Sequence, residues 1–312
     1  MTTKLAFVFP GQGSQTVGML AELYAEFDIV RSTFTEASAA LGYDLWALVA
    51  QGPEAELNET HRTQPALLTA SVAIWRLWQQ QGGATPAYLA GHSLGEYSAL
   101  VCAGAVSLAD AVQLVEKRGQ FMQTAVPAGT GAMSAILGLD DAIIAQACAE
   151  AAQGEVVSPV NFNSPGQVVI AGNKAAVERA GELCKTQGAK RVLPLPVSVP
   201  SHCALMKPAA EQLAVALAGL DFHPIVIPVV NNVDVAVVTE QLAIKDALIR
   251  QLFSPVRWTE SIEWLAAQGV THVVEIGAGK VLAGLIKRID RNLSTSSIND
   301  LASLQNALNP TT

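Results

Sequence analysis

The chain has 312 residues, 50% of them hydrophobic and only 15% charged, which excludes intrinsic disorder and supplies ample apolar material for a core. At roughly 100–200 residues per domain, this length corresponds to about two domains or to one large domain carrying an insertion. The net charge of −8 excludes a general nucleic-acid binder, so any anionic partner must find a local basic patch.

In chain order, residues 4–9, a lysine followed by five apolar residues, form a short segment stopped by Pro10-Gly11. They read as a buried strand rather than as a signal peptide, which would need a basic start, a longer apolar stretch and a cleavage site. Helical patterns follow to about residue 82, punctuated by Gly42, Gly52-Pro53 and Pro65, and Gly82-Gly83 breaks the chain. A second apolar strand at 87–90 precedes helices at about 94–104 and 108–123. Strands alternating with helices predict an α/β domain with a mainly parallel sheet. From 130 to 198 the order changes: strand 132–137, helix 142–152, strands 156–160 and 167–171 joined by a turn at 163–166, helix 175–187 and strand 191–197. That is βαββαβ, the ferredoxin-like unit.

Alternation then resumes with a helix near 205–218, strand 225–230, helices near 241–252 and 258–268, strand 272–276 and helix 280–289. The last twenty residues are rich in Ser, Asn and Thr and read as a fraying end. The expected organisation is a catalytic domain over 1–129 and 199–312, with an inserted subdomain at 130–198. No apolar run exceeds the length of 45–50, far below the ~20 residues of a membrane span, so a cytoplasmic setting is expected. The four cysteines, Cys102, Cys148, Cys184 and Cys203, lack Cys-x-x-Cys spacing and read as small buried thiols.

The sharpest local signal is Gly91-His92-Ser93-Leu94-Gly95. With a strand before it and a helix after it, this fits the Gly-x-Ser-x-Gly nucleophile elbow. The glycines make room for a sharp turn that lifts the Ser93 hydroxyl above the sheet at a helix N-terminus, where N–H groups favour developing negative charge. The main-chain N–H of Leu94 is a candidate oxyanion donor. The plainer alternative is a glycine-rich strand–helix turn with a capping serine.

A nucleophilic serine needs a base. Of His61, His92, His202, His223 and His272, His202 is the candidate, because Val199-Pro200-Ser201-His202-Cys203 is a constrained loop at a domain junction, where clefts form. A second glycine-rich turn, Pro10-Gly11-Gln12-Gly13-Ser14-Gln15, has Thr16 where a dinucleotide fingerprint needs glycine. Gln12 there is a candidate for the second oxyanion N–H. Gly277-Ala278-Gly279-Lys280 fails as a phosphate loop, since position 274 is Val.

Taken together, Gly11-Gln12-Gly13-Ser14-Gln15, Gly91-His92-Ser93-Leu94-Gly95-Glu96, Arg118 and Pro200-Ser201-His202 resemble the malonyl-CoA:acyl carrier protein transacylase family of bacterial type II fatty acid synthesis. The resemblance spans essentially the whole chain. It is strongest to the enterobacterial type, through residues 161–166 and 229–233 as well. It implies a hydrolase-like α/β domain with a ferredoxin-like insertion, Ser93 as the acylated nucleophile and His202 as base and then acid. It also implies an oxyanion hole from Gln12 and Leu94 and a histidine oriented by the backbone carbonyl of Gln251 in place of a carboxylate. Arg118 would read the malonyl carboxylate, for which a planar guanidinium is the natural partner; the plainer reading is a solvated arginine beside Glu116 and Lys117.

Malonyl-CoA and an external, acidic holo-acyl carrier protein are the implied partners, and no metal or redox cofactor is expected. Lys190, Arg191, Lys287 and Arg288 are candidates for a basic rim that docks the carrier; otherwise they are scattered solvated charges. The rival functions are a serine hydrolase, a non-catalytic CoA- or carrier-binding module, and a polyketide-type acyltransferase with a larger extender unit.

Overall fold

The computed structural model describes residues 4–197 and 199–309, so the outer limits 1 and 312 and the boundary residue 198 lie outside the described residues. Among the described residues nine strands are present: β1 (Leu5–Phe9), β2 (Tyr88–Gly91), β3 (Gly131–Leu137), β4 (Val157–Ser164), β5 (Gln167–Asn173), β6 (Arg191–Pro194), β7 (Val229–Val230), β8 (His272–Ile276) and β9 (Ser294–Ile298). They form two sheets, a five-stranded one in the order β7-β2-β1-β8-β9 and a four-stranded one in the order β4-β5-β3-β6.

The five-stranded sheet is parallel throughout. Its central strand shows why the sequence has a solid apolar run there and no alternation. Phe7 and Phe9 enter one core and Ala6 and Val8 another, on the opposite face, as a sheet covered on both sides demands. Phe7 meets Trp75 and Trp78 edge-on, at centroid distances of 5.8 and 5.5 Å. The chain leaves β1 to pair β2 on one side and returns through β8 on the other, so the crevice at the carboxyl ends opens beside β1, the position where open α/β sheets bind ligands.

The four-stranded sheet is antiparallel and follows the strand–helix order β-α-β-β-α-β, the predicted ferredoxin-like unit. Its pleat separates two environments. Ile136, Val168 and Ile170 pack under the helices Asp141–Ala152 and Lys174–Thr186. Their neighbours Met133, Val169 and Ala171 face the other way, toward Cys203. Period-two alternation thus gives this sheet one face for its own core and one for the rest of the molecule.

Several expectations need correction. The terminal segment does not fray within the described residues: Ser294–Ile298 adds a parallel edge strand to β8, and the helix Leu301–Leu308 carries a reciprocal capping box between Asp300 and Ser303. An edge strand has little to bury, so its serines disguised it as a loop. Pro65 does not interrupt the helix Thr60–Gln80. It sits near the N-terminal end, and the long buried run that follows outweighs the one hydrogen bond that its missing N–H removes. The strand expected over 225–230 shrinks to Val229–Val230, and that over 191–197 to Arg191–Pro194. Asn163 and Ser164 belong to β4, leaving only Pro165-Gly166 as the turn. All four cysteines are free and buried. Among the described residues no helix is long and apolar enough to cross a membrane.

Candidate active site

Ser93 stands between β2 and the helix Leu94–Cys102 at φ 52° and ψ −108°, a region that a non-glycine residue occupies only when its surroundings enforce it. The glycines show the enforcement. A Cβ on Gly91 would overlap the backbone of Gly95, and one on Gly95 would overlap the carbonyl of Phe9. The turn is therefore pressed directly onto the end of β1. Asn232 pins it further: its Oδ1 accepts from the Ser93 N–H at 2.8 Å, and its Nδ2 donates to the Gly91 carbonyl at 2.7 Å.

His202, 3% exposed and itself at φ 66°, reaches the serine from the loop beyond β6. Its Nε2 lies 2.8 Å from Ser93 Oγ, and its Nδ1 2.7 Å from the main-chain oxygen of Gln251. A carbonyl only accepts, so Nδ1 carries the proton and Nε2 is left to accept from the serine hydroxyl. Burial first, and the nearby Arg118 charge second, push the imidazole down to about 3. The resting histidine is therefore neutral at physiological pH, with the Nε2 lone pair directed at the serine hydroxyl.

Arg118, on the helix Leu108–Thr124, is 1% exposed. Nη1 donates to Gln64 Oε1 at 2.8 Å; Nη2 donates to Gln251 Oε1 at 3.0 Å and to Ser93 Oγ at 3.3 Å. The Tyr97 ring lies 5.2 Å from the guanidinium carbon. Burial lowers the guanidinium pKa, and among the described residues Arg118 forms no ion pair. The nearby carboxylate, Glu96, is turned elsewhere: its Oε2 accepts from the Asn232 N–H at 3.0 Å and from Gln251 Nε2 at 2.8 Å. Burial raises Glu96 to about 7 against these hydrogen bonds.

These groups open onto a cleft of about 280 Å³ between the two sheets. Gln12, Thr60, Ser93, Leu94, Arg118, Met122 and His202 form one side, and Met133, Ala135, Asn161, Asn163, Gln167 and Val169 the other. A hydrogen bond of 2.8 Å from His92 Nε2 to Asn163 Oδ1 ties the sides together.

Of the residues singled out in the sequence, Ser93, His202, Arg118 and Gln251 come together in one hydrogen-bonded group, and Gln12 and Leu94 line the same cleft. Lys190, Arg191, Lys287 and Arg288 lie outside it and are exposed; Arg288 touches its edge, donating to Gln167 Oε1 at 2.6 Å. Sequence reasoning missed the parts played by Gln64, Asn232, Glu96 and the Gln251 side chain. Glu96 and Asn232 stood in motif segments, but nothing local assigns them a partner 136 residues away. The other histidines are otherwise engaged: His61 with Gln123, His92 with Asn163 and His272 with Ser296, while His223 is exposed.

The family model described as an acyl transferase domain matches residues 6–304. A malonyl CoA-acyl carrier protein transacylase of Salmonella typhimurium is 70% identical over 306 residues, covering 98% of this chain and 99% of the relative. The crystal structure of an acyl carrier protein S-malonyltransferase from Vibrio cholerae is 68% identical, with a TM-score of 0.96 over 97% of this chain and 99% of that one. A third structure, described as a type II PKS acyl-carrier protein in complex with its malonyl-transacylase, is 64% identical with a TM-score of 0.97, covering 98% and 99%.

Proposed function

This chain belongs to the acyl transferase domain family, and we propose that it moves a malonyl group from malonyl-CoA to the phosphopantetheine thiol of an acyl carrier protein through a malonyl-serine intermediate, supplying malonyl-carrier for fatty acid elongation. The observation that carries the reading is a buried cation, Arg118, with no counter-ion among the described residues, whose Nη2 lies 3.3 Å from the oxygen of an elbow serine already hydrogen-bonded to a neutral histidine.

The geometry supports the following steps. Arg118 takes the malonyl carboxylate by charge-assisted hydrogen bonds, which sets the thioester carbonyl beside Ser93. Ser93 Oγ attacks the carbonyl carbon as its proton passes to His202 Nε2, and the carbonyl oxygen becomes an oxyanion. The main-chain N–H groups of Gln12 and Leu94 are its proposed donors; Leu94 opens a helix, so its N–H has no partner within that helix. The C–S bond breaks, and His202 returns the proton to the departing CoA sulfur. The carrier thiol then reverses the sequence: His202 takes its proton, sulfur attacks the acyl carbon, and the proton goes back to Ser93 Oγ. The Gln251 carbonyl supports the imidazolium that forms twice in this cycle.

Pairing of Arg118 with the malonyl carboxylate also removes one of the charges that depress His202, so the correct substrate strengthens its own base. A thioester is already activated, so these steps call for no metal or redox cofactor.

The carrier is proposed to be acidic and to act in trans, as does the carrier protein in the 64% identical complex. Its docking surface is proposed as a basic rim of Lys190, Arg191, Lys287 and Arg288. Two of the four bracket the cleft edge: Gln167 and Arg191 both pair with Leu137 from opposite sides of β3, and Arg288 donates to Gln167. A cytoplasmic location belongs to the same proposal, since malonyl-CoA and the carrier protein are both water-soluble.

Intact-protein mass spectrometry tests the whole reading. Malonyl-CoA should add one malonyl group, holo-carrier should remove it and gain it, and Ser93→Ala should carry none. A persistent adduct of the same mass on Ser93→Ala would reject it.

A further inference from the structure

The guanidinium of Arg118 is held at both ends by groups that cannot neutralise it. Gln64, 1% exposed, offers its amide oxygen to Nη1 at 2.8 Å. Gln251, fully buried, offers its own to Nη2 at 3.0 Å. Nε is also buried and has no hydrogen-bond partner among the described residues. A buried arginine is ordinarily fixed by a carboxylate, and one stands close by. Glu96, however, is separated from Arg118 by Gln251, whose Nε2 donates to Glu96 Oε2 at 2.8 Å while its Oε1 faces the arginine. One amide thus joins a carboxyl group on one side to the guanidinium on the other and keeps them apart. The Gln64 amide nitrogen meets only Met122 Sδ, at 3.7 Å, so no acid approaches from that side either.

We propose that Gln64 and the Gln251 side chain are specificity-determining residues, which fix the orientation of Arg118 while leaving its charge uncompensated, so that an acyl group bearing its own carboxylate is selected over a neutral one. The inference rests on Arg118 as the reader of the malonyl carboxylate. A carboxylate on the acyl group completes the ion pair that the protein omits; an acetyl group leaves a buried cation bare. An acid at position 64 would supply that pair in advance and would repel the entering carboxylate.

Three variants test this through the ratio of kcat/KM for malonyl-CoA to that for acetyl-CoA. Gln64→Glu should lower the ratio at least roughly tenfold, because a protein carboxylate then competes for charge-assisted bonds to Arg118. Gln64→Leu loses the anchor but adds no charge, so the ratio should fall less, by about threefold to tenfold, and through kcat/KM for malonyl-CoA alone, because acetyl-CoA makes no use of the orientation of Arg118. An unchanged ratio in Gln64→Glu overturns the proposal, as does an unchanged ratio in Gln64→Leu. The leucine variant decides alone if the glutamate variant does not fold, as judged by its thermal melt. Arg118→Ala separates the two levels. If it leaves the ratio unchanged, the arginine reading itself is wrong; if it shifts the ratio and Gln64→Glu does not, only the present inference fails.

Discussion

The two sheets serve the cleft in different ways. The parallel sheet spends both faces on cores, Phe7 and Phe9 on one and Ala6 and Val8 on the other, and contributes chemistry only from its strand ends. The antiparallel sheet spends one face on its helices and presents the other, through Met133, Ala135 and Val169, as a wall of the cleft. A strand end can deliver a residue in a conformation that regular structure forbids, such as Ser93 at φ 52°. A strand face can deliver only side chains at fixed spacing. Reactive groups accordingly belong to the first sheet with its helices and loops, and one wall of the cleft to the second, while the rim draws on both, Arg191 from β6 and Arg288 from the helix Val281–Ile289.

If that division holds, substitutions at strand ends and their partners should alter turnover, and substitutions on the antiparallel unit should alter fit. The largest effect is expected for His202→Ala. It should slow both the acylation of Ser93 by malonyl-CoA and the discharge to carrier, each by ~10²–10⁴-fold, because one imidazole acts as base and as acid. Single-turnover rates of the two half-reactions check this; a normal acylation rate with slow discharge would break the assignment.

Arg118→Ala comes next. Hydrogen bonds to charged groups contribute about 1.5–3 kcal/mol, so the malonyl-to-acetyl preference should drop roughly tenfold to a hundredfold. Arg118→Lys should recover only part of it, since a point charge cannot make the guanidinium fork. Steady-state kcat/KM with each acyl-CoA is the measure.

On the wall-and-rim side, Arg191→Glu combined with Arg288→Glu should raise KM for the carrier severalfold, leave acylation by malonyl-CoA nearly untouched and lose its effect as salt rises. Equal effects on both substrates would move these arginines from carrier docking to CoA binding.

The smallest effect concerns stability against pH. His202 is held down to about 3, so the unfolded chain binds a proton below its ordinary value while the folded one does not, and stability falls as pH drops from about 6.5 toward 3. Glu96 is raised to about 7. The folded state therefore binds its proton more tightly, and that contribution is complete below the ordinary carboxylate value and is lost as pH rises through about 7. The two trends oppose each other between about 4.5 and 6.5. Glu96→Gln removes one of them, so its melting temperature should improve relative to wild type as pH rises across that window. A constant difference between the two melting curves would show that Glu96 is not held as described.

What the sequence by itself determined is the part of the protein governed by local sterics. Only glycine fits at position 91, where a Cβ would meet the backbone of Gly95 within the same turn, so the elbow is legible from five residues. The order of apolar runs and turns likewise prescribes the βαββαβ unit and the parallel sheet around it, because strand periodicity and crossover lengths are properties of short segments.

Tertiary structure alone decided the rest. Gln64, Asn232, Glu96 and Gln251 are residue types common on any surface. Their roles exist only because Gln251 lies 133 residues from Arg118 and 158 from Ser93 in the chain yet within hydrogen-bonding distance of both. The C-terminal strand was hidden for a related reason. Ser294–Ile298 has little intrinsic strand pattern, and what makes it a strand is the free edge of β8 that only the folded sheet provides. Local conformation is written in the residues that must adopt it; a partner across the fold is written in neither residue alone, since a buried amide or carboxylate acquires its function from the polar group that packing sets against it.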